Sequence, residues 1–181
     1  MYTNGDWLTR LAIGAAGGVA GTLVIHAFRT ASQQWLPSTV PPIRQDPGEM
    51  MVETGKEALP EPVRQHIPQV VETGAARMLA VGYGLTFGAL YPLLRPKGGS
   101  PLVDGVLLGI VAWATGYLGW LPASGLMPPV WRQSAPQAVA PIAQHALYGI
   151  ATVAMYDWLR ARVEEGSLIA GGRSVWTDWT G

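Results

Sequence analysis

Four long stretches nearly free of charge constrain this chain more than any other feature. They cover residues 8–28, 75–94, 102–121 and 138–159. A helix of about 20 predominantly apolar residues is what crosses the hydrocarbon core of a bilayer. The charges that intrude are Arg10, Arg77, Asp104 and Asp157. Each sits within a turn of a predicted boundary, where a side chain can snorkel to the interface. The expected fold is all-α: a polytopic membrane protein built as a four-transmembrane-helix bundle. Residues 1–160 form this domain and residues 161–181 a C-terminal tail.

Composition agrees. Charged residues are 13% of the chain and hydrophobic ones 49%, against about 25% charged in soluble domains. Formal net charge is zero, so the basic footprint of a nucleic-acid binder is missing. The chain has no cysteine, which excludes disulfides, iron–sulfur clusters, thiolate zinc sites and Cys-linked lipid anchors. Tryptophans fall near the predicted boundaries: Trp7 and Trp158 at one interface, Trp35, Trp120 and Trp131 at the other. That is the placement of an aromatic belt. The segment before the first span, MYTNGDWLTR, carries one positive and one negative residue and no clean small-residue cleavage site follows. The first span is therefore read as retained rather than as a cleaved signal peptide. Four crossings put both termini on one side, with six Lys/Arg on each face. The Arg95–Lys97 connection and the Arg160/Arg162 pair lie close to span ends, and this places the termini in the cytoplasm.

Residues 30–74 form the one long extramembrane loop. Asp46-Pro47-Gly48-Glu49 has the pattern of a helix start, with a capping Asp and a Pro at the first helical position. A short helix to about Leu59 is expected there, broken afterwards by Pro60, Pro62 and Pro68. The loop reads as a cap on the membrane surface, with a docking surface or a lid over a site as the alternative. In the tail, Trp176 and Trp179 are unusual and point to a partner chain or a lipid surface.

Small residues recur at four-residue spacing: Gly14 and Gly18, Gly17 and Gly21, Gly84 and Gly88, Gly105 and Gly109. In lipid, such residues let helix backbones approach closely, so these are the expected packing positions. GYGLTFG at 82–88 is not a dinucleotide fingerprint, since its spacing is wrong and no βαβ unit surrounds it.

His26, His66 and His145 all fall towards one membrane face. Gly14, Gly18, Thr22 and His26 share one ridge of the first span. His145, Tyr148, Thr152 and Tyr156 form a polar stripe on the fourth, and such stripes face bundle interiors. Facing imidazoles on two helices are a haem ligation pattern, so His26 and His145 are candidate ligands for a haem b. A transition metal held with Glu72, or a proton relay, is a further reading. Interhelical or headgroup hydrogen bonds are the structural alternative. No nucleophile elbow, cysteine nucleophile or His pair at helical spacing appears, and no enzymatic activity is expected.

The layout Gly125-Leu126, Pro128-Pro129, Ile142, His145, Leu159-Arg160, with Gly105 and Gly109 in the preceding span, resembles the YagU-like family of small bacterial inner-membrane proteins. The resemblance covers roughly 102–160. It implies a bacterial cytoplasmic-membrane location and carries no functional residue. The expected function is a non-catalytic accessory or structural subunit of a larger membrane complex, respiratory or photosynthetic by analogy. Its partners are the bilayer and other membrane subunits. A haem- or metal-binding subunit and a small transporter or channel component are the alternatives.

Overall fold

The fold comes from a computed structural model that describes residues 4–95 and 99–177, with side chains described over 7–95 and 99–165. Among these the chain is all helix and turn, with no strand. The principal helices are α1 (Asn4–Trp35), α2 (Pro47–Glu57), α3 (Glu61–Arg64), α4 (Gln69–Leu94), α5 (Pro101–Ala114), α6 (Leu121–Ala123) and α7 (Ala135–Thr177). A π-helical turn, Thr115–Trp120, joins α5 to α6. Non-helical backbone at Gly119 kinks the chain there. Lys97 and Trp179, both used in the topology and tail readings, lie outside the described residues, as does the side chain of Trp176.

Among the described residues three helices are long and apolar enough to cross a membrane: Trp7–Trp35, Pro101–Ala123 and Ala135–Glu165. They contain the first, third and fourth predicted spans. The second, 75–94, lies in α4, which is not among them. Its first turns carry Glu72 and Arg77, and Gly and Tyr residues dilute the apolar run that follows. Only 33%, 33% and 28% of the most apolar windows of the three helices is buried in the chain. Their outer faces are nevertheless apolar, with Leu23, Leu107, Val111, Leu118 and Val139 exposed. A helix that is apolar all round suits a surrounding hydrocarbon rather than water.

Helix ends follow local breakers more than apolarity. α1 runs to Trp35, well past residue 28, because nothing stops it before Pro37. Its 32 residues extend about 48 Å at 1.5 Å per residue, more than the ~30 Å hydrocarbon core. α7 runs through Pro141 and on to Thr177, past the boundary expected near residue 159. The Gln137 side chain reaches back to the Ser134 amide at 3.2 Å at its start. Asp46 caps α2, accepting from the Gly48 and Glu49 amides at 2.9 and 3.3 Å.

The helices pack in the order α4–α1–α7–α5, and α4 barely touches α5. Glycine makes each junction. Gly14 and Gly18 face α4, where the Gly88 and Gly84 carbonyls approach so closely that a Cβ would collide. Pro92 has no N–H, so the Gly88 carbonyl lacks its usual helical donor, and the Pro92 ring nests against Gly14. Gly17 and Gly21 face α7, where a Cβ on Gly17 would stand 2.6 Å from the Thr152 carbonyl oxygen. Between α5 and α7, a Cβ on Gly105 would lie 2.7 Å from the Ile150 Cα, and one on Gly149 would lie 2.6 Å from the Gly109 nitrogen.

Gly105→Ala is therefore expected to lower stability in detergent by about 1–3 kcal/mol, the usual cost of overpacking. Gly82 has nothing within 4 Å of a built Cβ. Gly82→Ala is expected to match or exceed the parent chain by up to ~1 kcal/mol through helix propensity. Thermal midpoints by circular dichroism check both; equal midpoints for the two variants would remove the seam argument.

Candidate functional site

Because α4 and α5 do not close on each other, a space remains between them. It is a cavity of about 760 Å³, within the ~300–1,000 Å³ range of small-molecule sites. Every major element contributes to it. α1 supplies Thr22, Ile25, His26 and Arg29; α7 supplies Gln144, His145 and Tyr148. α4 forms the third wall from Met78 to Thr86, and Tyr117 and Trp120 of the π turn form the fourth. Segments of π-helix recur at functional sites. The long loop covers one end through Ile43, Asp46, Gly48 and Met51. It is fixed there by the Arg44 amide donating to the Leu126 carbonyl at 2.9 Å, and by a cluster of Leu121, Leu126 and Met127 with Ile43 and Met50. Gly125, at φ +76°, makes the turn beneath it, a left-handed conformation that glycine adopts without strain. α2 seats on α4 where Gly48 meets the Ala76 carbonyl.

Two tyrosines span the gap. The Tyr83 hydroxyl donates to the Ala112 carbonyl of α5 at 2.8 Å, and the Tyr148 hydroxyl to the Gly84 carbonyl of α4 at 2.6 Å. Thr22, Thr86 and Thr152 donate to carbonyls within their own helices. Gln144 donates to Ser32 at 3.1 Å.

His26 and His145 line the same cavity. His26 is exposed at its edge. His145 is partly buried, its Nδ1 2.8 Å from the Pro141 carbonyl oxygen and its ring edge-on to Tyr117. That bond leaves Nε2 as the nitrogen directed to any ligand. His66 lies apart, exposed, with its Nδ1 2.6 Å from the Pro62 carbonyl oxygen. Glu72 pairs with Lys56 and does not line the cavity. Among the described residues no group of three or more His, Cys, Asp or Glu could hold a metal ion.

At the opposite end of the bundle the boundary charges find one another. Arg95 binds Asp157 through both carboxylate oxygens and lies 3.7 Å from Asp104. Its guanidinium sits over the rings of Tyr91 and Tyr156, at 5.7 and 5.9 Å from their centroids. Tyr91 donates to Asp104 at 3.3 Å, and Arg10 donates to the Pro92 carbonyl at 3.0 Å. Asp104 is only 7% exposed. Burial works against the Arg95 charge, but the Asp157 hydrogen bond and the nearby carboxylates hold its pKa above the ordinary value. Snorkelling to headgroups is thus not what Asp104 and Asp157 do: an internal ion pair serves both. The sequence signal was Arg95 itself, placed just after the second span, but its two partners lie on other helices. Tyr83 and Gly149 carried no local signal either, since their partners also lie on other helices.

Comparison with protein-family models, with curated proteins and with solved structures finds no match. What fold and site define, among the described residues, is an all-helical chain with three helices long and apolar enough to cross a membrane and a mainly apolar cavity open to the surface.

Arg95→Ala would leave two carboxylates without their partner. It is expected to cost about 3–5 kcal/mol, as for breaking a buried pair. Unfolding in detergent measures it, and a loss below about 1 kcal/mol would show the cluster to be incidental.

Proposed function

We propose that this chain is a non-catalytic, four-crossing protein of a bacterial cytoplasmic membrane, with cytoplasmic termini, that serves as an accessory subunit of a larger membrane complex. α4 is the fourth crossing: it is sealed along α1 by Gly14/Gly88 and Gly18/Gly84 and is as long as a span requires, at 26 residues. The observation that carries the subunit role is the shape of the packing. α4 and α5 end an open row, each with an apolar face that no other helix covers among the described residues, including Leu90 and Leu93 on α4 and Leu107, Ile110 and Val111 on α5. The likeness of 102–160 to the YagU-like pattern supports the location.

Mild-detergent extraction of the tagged chain from its native membrane, followed by size analysis and mass spectrometry, tests the subunit role. Recovery at reproducible stoichiometry with other membrane subunits is expected. A homogeneous monomer would overturn it.

A haem-carrying subunit is the rival reading, favoured by His26 and His145 lining one cavity. A Soret band in the same sample, lost in His145→Ala, would replace the non-catalytic reading with it.

A further inference from the structure

The cavity's polar groups divide into those already engaged and those left over. On the inner walls, Tyr83, Tyr148, Thr22, Thr86 and Gln144 all donate within the protein. With those donors engaged, the interior presents mainly carbon to an occupant, from Ile25, Leu79, Tyr117 and Trp120 among others. Asp46 also lines the cavity, but its carboxylate caps α2. Left over are Arg29 and His26 at the rim, and the His145 Nε2 and the Tyr117 hydroxyl deeper in. Arg29 and His26 are exposed at the end of the first span and have no hydrogen bond or ion pair among the described residues. Of the other cations towards that end, Lys56 and Arg64 are in ion pairs, while Arg44, Arg77 and Arg132 have none among the described residues; what sets Arg29 apart is that it also lines the cavity. On the α4 side, Met78 lines the cavity and is 77% exposed, so the space opens on the outer face of α4, which the four-crossing reading proposed above sets against hydrocarbon.

We propose that this cavity binds a single-chain anionic amphiphile, its tail among the apolar walls between α1, α4 and the π turn, and its head on Arg29 and His26. An apolar interior selects a chain, and one free guanidinium at interface depth selects an anion. A carboxylate and a phosphate monoester share that head chemistry, so a long-chain fatty acid and a lysophosphatidate are the two sources. The covering loop, anchored at Arg44 and Leu126, limits the length of head and tail that fit.

The test uses the full chain in nanodiscs of zwitterionic lipid, with tritiated palmitate as probe and lysophosphatidate and hexadecanol as competitors. Palmitate binding is expected to saturate near one per chain. Arg29→Gln should weaken it at least tenfold while leaving hexadecanol competition unchanged. Gly82→Leu projects a side chain from the cavity wall into open space, and should abolish binding without lowering the thermal midpoint. Displacement of palmitate by lysophosphatidate at less than equimolar concentration identifies the phosphate monoester as the source, and displacement only in excess identifies the fatty acid. Uptake that never saturates, Gly82→Leu binding like the parent, or Arg29→Gln weakening acid and alcohol alike would each overturn the proposal. Circular dichroism of both variants separates loss of the site from loss of the fold. Co-purified partners have no bearing on this readout, so it fails or stands independently of the subunit reading.

Discussion

Backbone-to-backbone contact at glycine is the constraint on which the rest of this structure depends. Lipid offers no hydrophobic drive for one apolar helix to leave hydrocarbon for another, so association relies on close packing. α1 carries two glycine seams offset by three residues. Gly14 and Gly18 meet α4, while Gly17 and Gly21 meet α7. One helix thereby holds two neighbours at once. α7 repeats the device on its other side, where Gly149 meets Gly105 and Gly109 of α5. Each junction is so close that a single added carbon has no room.

The row that results is open, and its opening has consequences. α4 and α5 are consecutive in the chain yet nearly separate in space. Tyr83 and Tyr148 bridge between helices with hydroxyl-to-carbonyl bonds instead of packing, and the cavity is what remains around them. At the other end the Arg95 cluster ties α4, α5 and α7 together by charge. The bundle is thus joined tightly through α1, electrostatically at one end, and loosely where the cavity lies. The long loop seals that loose end, with α2 resting on α4 at Gly48.

Tyr156 shows the limit of local reasoning about polar stripes. It is fully buried, and its hydroxyl has no hydrogen-bond partner among the described residues, while its ring packs against Tyr91 and under Arg95. Its place in the stripe with His145, Tyr148 and Thr152 follows from helical spacing alone. The roles along that stripe differ, because the facing element changes from the cavity at His145 to glycine backbone at Thr152 and to a charge cluster at Tyr156.

The sequence by itself determined that the chain is helical and where its most apolar helices lie, because about twenty residues with a single charge near one end leave few alternatives. It also marked the α2 start, since a capping Asp before Pro is a local signal. It did not determine the ends of α1 and α7, where apolarity stops but no proline or glycine halts the helix. Tertiary structure alone decided which glycine seam meets which helix, since GAAGGVAG presents two seams of equal appearance. It alone brought Asp104 and Asp157 to Arg95, and His26, Arg29 and His145 to one cavity. Those groups are far apart in the chain and carry no mutual signal. They meet because backbone contact at glycine fixes the order of the helices, and that order fixes everything the side chains can reach.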